Sequence, residues 1–253
     1  IEKALDLLRS NSALKAEKKS SRVAADGILI MAATDSYATI VELNSETDFA
    51  AKDSNFLAFS EKVKGFITEN KVDDVEAFIG SSLEDDRKAL VQTIGENIQL
   101  RRVETIDFSS DMNIGMYLHS DSKLGSIVAV NNGSDQIAKD IAMHVSAFNP
   151  LCLSKEDINQ DILERERVIY QNQAKDSGKP EEIMKKMVEG KINRYLSEVS
   201  LLSQSFIKDP DISVADYLEK DNASIAAYVR LKVGEGIEVE VKDFAEEVAE
   251  QLK

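Results

Sequence analysis

Twice along this chain a pair of short β-prone runs leads into an amphipathic helix, with a further strand-like run later. Ile28 to Met31 and Tyr37 to Leu43 are split by Thr34-Asp35-Ser36, a hairpin signal. A polar connection, Asn44 to Lys52, precedes a helix with Phe56, Phe59, Val63, Phe66 and Ile67 on one face and Asp53 or Ser54 as N-cap. Helices are expected over Val72 to Ile79 and Leu83 to Ile94, then a strand over Asn97 to Phe108. The order returns with a hairpin at Ile114 to His119 and Leu124 to Val130. A helix follows from Asp135 to Phe148, presenting Ile137, Ile141, Val145 and Phe148 on one face, and a strand at Ser224 to Val233 closes the second unit. The period thus alternates between 2 and 3.6, which predicts an α+β fold: a two-subdomain core of antiparallel strands packed with helices. The expected subdomains are residues 23–112, and 113–152 with 202–238. Their common plan suggests a duplication.

Between the second helix and its strand lies an insertion, residues 153–201, highly charged and strongly helical. Asp176-Ser177-Gly178-Lys179-Pro180 in its middle supplies a glycine stop and a proline start. An antiparallel helical hairpin is expected, each arm about 30 Å long. Its apolar positions include Ile158, Ile162, Ile169, Ile183, Met187 and Tyr195. Some zip the arms together; for the remainder two readings stay open, further zipping of the hairpin or a partner surface. Ile1, Ala4, Leu5 and Leu8 begin the chain with helical spacing, Ala13 to Ser21 reads as a linker or exposed helix, and Asp243 to Lys253 as a short amphipathic helix.

Charge narrows the function classes. The net charge of −15 over 253 residues repels phosphate backbones, so no direct nucleic-acid partner is expected. It suits either solubility alone or steering toward a basic protein face. The single cysteine, Cys152, permits no internal disulfide, and two histidines without cysteine clusters argue against zinc. No apolar run approaches the roughly 20 residues of a membrane helix, and no signal peptide opens the chain. A cytoplasmic protein without a membrane partner is expected.

Motifs for chemistry are missing. Gly178-Lys179 is followed by Pro180 and Gly190-Lys191 by Ile192, so neither completes a phosphate loop. Gly234-Glu235-Gly236 reads as a turn, because Val239 stands where a third glycine belongs. Cys152 has no histidine near it in sequence, and His144 sits among helical core residues as a structural histidine. His119, at a hairpin tip, is a candidate contact residue. No catalytic, cofactor or metal residue is assigned. The unusual feature is Phe49, an aromatic in the polar connection Asn44 to Asp53. Two readings stay open: it folds back as a cap on the core, or it protrudes as a wedge that fills a partner's pocket.

Several segments together resemble one family. Val41-Glu42-Leu43-Asn44 with Glu46-Thr47-Asp48-Phe49 is similar to the signature of elongation factor Ts. So, in order, are Ile94-Gly95-Glu96-Asn97-Ile98 with Arg101-Arg102, and Asp140-Ile141-Ala142-Met143-His144-Val145. Gly178-Lys179-Pro180, Met187-Val188-Glu189-Gly190, and the return segment with Leu202, Gln204, Phe206, Lys208 and Asp209 follow. Arg230, Val233-Gly234-Glu235-Gly236-Ile237-Glu238 and Asp243-Phe244-Ala245 complete the resemblance.

The resemblance implies a nucleotide exchange factor for elongation factor Tu, working without covalent chemistry or a cofactor. It implies that Asp48 and Phe49 enter the partner's GTPase domain, and that Thr47, Ile94, Gly95, His119 and Phe244 also face the partner. It makes 153–201 a dimerisation hairpin, hence a homodimer, residues 1–22 the remnant of an N-terminal helical domain with its linker, and 239–253 a C-terminal helical module. The alternative function is a dimeric scaffold without exchange activity. Arg101 and Arg102, in an apparent strand, are expected to be structural.

Overall fold

The computed structural model describes residues 12–238. The expected helices at 1–10 and 243–253, and with them Phe244, lie outside those residues. Contacts divide the chain into two compact units. One comprises the residues up to Asp107 with Leu118–Gly125 and the segment from Leu231; the other comprises Phe108–Tyr117 and Ser126–Arg230. Strands and helices are both well represented, an α+β composition.

In the first unit, β1 (Asp26–Ala33) and β2 (Tyr37–Ser45) form an antiparallel hairpin, and β3 (Gln99–Asp107) pairs antiparallel with β2. The order β1-β2-β3 makes β2 central, so every position from Ala38 to Ser45 is buried. Two short helices and two longer ones connect β2 to β3: α1 (Asp48–Ala51), α2 (Ser54–Glu69), α3 (Glu76–Ile79) and α4 (Ser82–Ile94). Asp53 caps α2, its carboxylate accepting the Asn55 N–H at 2.8 Å. Phe56, Phe59, Val63 and Ile67 of α2 enter one core with Ile30, Val41, Leu43, Leu90, Val91 and Ile98. Each such apolar side chain contributes about 1.5–3 kcal/mol on burial. The expected helix over Val72 to Ile79 is helical only from Glu76. Asp74 accepts the Ala77 N–H at 3.2 Å, so its side chain starts the helix late instead of extending it. Residues 12–19 are helical, and Ala16 is buried in the same core.

A second sheet, most of whose residues belong to the second unit, runs β4 (Met112–Leu118), β5 (Leu124–Asn131), β8 (Ser224–Lys232), again a hairpin plus a late strand. Helix α5 (Asp135–Phe148) is capped by Ser134 and lies hard against β4. A Cβ at Gly115 would sit 1.9 Å from the Ala138 carbonyl oxygen, so only glycine permits that approach. His144 is buried on α5. Its Nδ1 accepts the Ile207 N–H at 3.2 Å, which leaves the proton on Nε2, facing Gln204 Oε1 at 3.0 Å. Its ring stacks on Phe148 at 4.6 Å. Asp140, one turn earlier, accepts from Lys208 (2.6 Å), Gln136 (2.7 Å) and the Tyr217 hydroxyl (3.0 Å).

The insertion forms α6 (Gln160–Lys175) and α7 (Glu181–Val199). Its two ends are tied side by side: the Leu151 N–H donates to Val199 O at 2.8 Å, and the Leu201 N–H to Cys152 O at 2.9 Å. The seam holds Leu163, Tyr170, Ala174, Met184, Val188, Ile192 and Leu196. Ile169 and Ile183 are not in it; both are 46% exposed, as is Val168. The return path adds a small sheet, β6 (Ser205–Phe206) with β7 (Asp209–Ser213), and helix α8 (Val214–Glu219), started by a reciprocal Ser213–Asp216 capping box.

Candidate functional site

The connection after β2 is a sequence of caps. Ser45 is buried and donates its hydroxyl to Thr47 O at 2.9 Å. Thr47 has extended backbone (φ −128°) and caps α1, its Oγ1 accepting the Ala50 N–H at 3.2 Å. Ala50 and Ala51 are the buried residues of this single turn. With about 100° between successive helical residues, burying 50 and 51 turns Phe49 outward. Phe49 is 80% exposed, more than any other large apolar side chain among the described residues. It does not cap the core. Asp48 beside it pairs with Lys52 at 2.7 Å. That hydrogen bond, with the charges of Lys52 and Lys123, holds the Asp48 carboxyl below its ordinary value against the opposing effect of desolvation, so it is ionised at neutral pH.

Two further corners adjoin the connection. Helix α4 ends at Ile94, half-buried against the core, and Gly95 (φ +87°) makes the left-handed C-cap that glycine favours. Beyond it, Glu96 accepts the Thr47 N–H at 2.9 Å and the Thr47 hydroxyl at 2.7 Å. Glu46 in return accepts the Asn97 N–H at 2.6 Å and lies 3.5 Å from Arg22. The second corner is the turn after β4. His119 is exposed, with Nδ1 2.9 Å from Asp121. Lys123 pairs with Asp26 at 2.7 Å, and Asp26 stands opposite Ser45 in the β1–β2 register. Thr47 is therefore bonded to Glu96, next to Gly95, and Lys123 of the His119 turn is paired with Asp26, which faces Ser45 at the start of the connection.

Sequence reasoning missed the group that braces this end of the sheet. Glu42 is completely buried on β2. It accepts from Arg101 (3.1 Å), Arg102, Asn44 (3.0 Å) and the Gly234 N–H (2.8 Å). Burial pushes its carboxyl up, but the Gly234 amide, Arg102 and Asn44 outweigh that and hold it below its ordinary value. Arg101 and Arg102 also donate to Glu235 O (2.7 Å) and Lys232 O (2.6 Å), so both arginines are structural. The signal was a glutamate in the middle of an apolar strand, with two arginines in the strand that would pair with it. Among the described residues no cluster of histidine, cysteine or carboxylate side chains could hold a metal, and no helix is long and apolar enough to cross a membrane.

The family model described as elongation factor TS matches residues 46–235. Elongation factor Ts of Hahella chejuensis is 51% identical over 255 residues, spanning 100% of this chain and 88% of that protein. The chain belongs to the elongation factor Ts family. The elongation factor Ts proteins of Legionella pneumophila (strain Paris; 44% identity, 100% of this chain, 88% of that protein) and Hydrogenovibrio crunogenus (42%, 98% and 86%) give the same result. The family is one of translation elongation factors. The span that matches its model begins at Glu46, takes in the connection, both corners and the hairpin, and ends at Glu235, short of Phe244.

Proposed function

We propose that this chain promotes release of GDP from elongation factor Tu, with Phe49 as a wedge and Asp48 as its charged companion. The observation that carries the reading is Phe49, 80% exposed on a turn whose other apolar residues are buried. An exposed aromatic on a rigid support is an inexpensive anchor, because little conformational freedom is lost when it fills a pocket. Asp48 enters ionised, and a carboxylate near the diphosphate competes for the hydrogen bonds and water that organise the partner's magnesium ion. No bond is made or broken in this chain. Exchange is thermodynamic coupling: a factor that weakens GDP binding is itself bound more weakly, by the same ratio, when GDP is present. Ile94, Gly95 and His119 form the surround of the wedge, and Phe244 is a further docking residue.

The exposed Val168, Ile169 and Ile183 support a second, compatible role for residues 153–201, the seat of a homodimer. A pure scaffold would depend on that role alone. The deciding experiment follows a fluorescent GDP analogue leaving elongation factor Tu as this chain is titrated in. A saturable acceleration that Phe49→Ala abolishes supports the wedge. GDP release that this chain leaves unaccelerated, while residues 153–201 still assemble it into a dimer, would favour the scaffold.

A further inference from the structure

The turn that carries Phe49 is too short to hold itself. An isolated single helical turn is far from stable in water, and the residues that α1 buries are two alanines. Its orientation comes from two carboxylates that cross over between the connection and the corner after α4. Glu46 reaches from the connection to the Asn97 amide, and Glu96 reaches back to the amide and hydroxyl of Thr47. The hydroxyl of Thr47 does two things at once. Its proton goes to Glu96 at 2.7 Å, and a lone pair accepts the Ala50 N–H at 3.2 Å. One oxygen thus links the cap of α1 to the carboxylate, a combination open only to a hydroxyl side chain.

We propose that Glu96 is a positioning residue for the exchange reaction, fixing Phe49 in its presented orientation, through Thr47, before the partner arrives. The inference rests on the reading of Phe49 as the wedge. When a presented state is populated to a fraction f, apparent affinity falls by that fraction, while events after seating are unchanged. Loss of the clasp therefore acts on the concentration needed for exchange and not on its limiting rate.

The test uses the full chain with Glu96→Ala and two readouts. In the free protein, amide hydrogen exchange over residues 47–51 is expected to accelerate, with the melting temperature nearly unchanged. In stopped-flow release of a fluorescent GDP analogue from elongation factor Tu, the half-saturating concentration is expected to rise about five- to tenfold, with the plateau within about twofold. Thr47→Val, which loses both the hydroxyl bond to Glu96 and the cap on Ala50, should lose protection at least as far as Glu96→Ala, and in the double variant the two losses should be less than additive. Unchanged amide protection would overturn the clasp. Lost protection with a normal half-saturating concentration would show that presentation does not limit encounter. A lowered plateau at normal half-saturation would place Glu96 in the bound complex, against the proposal. Phe49→Ala is measured alongside. If it exchanges normally the wedge reading fails, whereas an active parent, an inactive Phe49→Ala and an unaffected Glu96→Ala sink the positioning role alone.

Discussion

Phe49 and Glu42 stand seven residues apart and have opposite fates. One is an apolar side chain in water, the other a charge in the core. Removing an exposed phenylalanine ring leaves no cavity, so Phe49→Ala is expected to change stability by no more than about 0.5 kcal/mol. As an interface anchor it is expected to cost exchange about thirtyfold, the kinetic equivalent of roughly 2 kcal/mol. Thermal melting and nucleotide release on the same preparation separate these outcomes; equal losses in both would remove Phe49 as a wedge. Glu42→Ala should do the reverse. It strands two guanidinium groups and the Gly234 amide, and a loss of about 2–4 kcal/mol is expected, softened because both arginines reach solvent. The carboxyl of Glu42 is held below its ordinary value of 4.5. Its contribution is therefore complete above pH 4.5 and is lost as pH falls through the folded value, a component of acid unfolding that Glu42→Gln should reduce.

At the scale of elements, α5 is held by a titratable group. Burial pushes the His144 ring below its ordinary 6.5, opposed by the Gln204 hydrogen bond. Protonating Nδ1 would break its bond from the Ile207 amide. The unfolded chain takes up that proton first, so stability from neutral His144 is full above pH 6.5 and falls as pH drops below it. Melting temperatures measured between about pH 7.5 and 5.5 should slope downward, and His144→Gln should flatten the slope. The helical hairpin has a different problem, since its seam leaves Val168, Ile169 and Ile183 unburied. Ile169→Glu with Ile183→Glu is expected to leave helix content unchanged and shift sedimentation toward the monomer. A mass unaffected by both charges would remove this face as the dimer seat.

At the scale of the whole molecule, the net charge of −15 acts at long range. Where that field steers this chain toward elongation factor Tu, association should slow as salt is raised from about 0.05 to 0.3 M, because screening shortens the reach of the field. Dissociation should change much less. Coupling through the nucleotide sets a further expectation: affinity for nucleotide-free partner exceeds that for the GDP-bound form by the factor with which this chain weakens GDP. Titration calorimetry on the two forms checks it, and equal affinities would exclude an exchange role.

The α+β class, the two hairpins, α2 with its Asp53 cap, and α5 over Asp135–Phe148 were legible in the sequence. They rest on near-neighbour physics: periodic apolar side chains, turn residues and caps. The family was legible for another reason, since ordered motifs from residue 41 onward survive without knowledge of their contacts. Short-range rules were stretched too far at Val72 to Ile79, where Asp74 bonded the backbone and delayed the helix, and overlooked at Ser213 to Asp216, where a capping box was spelled out. Only the tertiary structure decided which way Phe49 faces, because that depends on Ala50 and Ala51 finding a core and on Glu96, 49 residues away, holding Thr47. It alone joined Glu42 to Gly234 across 192 residues and decided that Ile169 and Ile183 lie outside the hairpin seam. Burial and long-range pairing belong to the packed chain: a side chain's neighbours in sequence limit its backbone, but its neighbours in space decide whether it is core, brace or exposed surface.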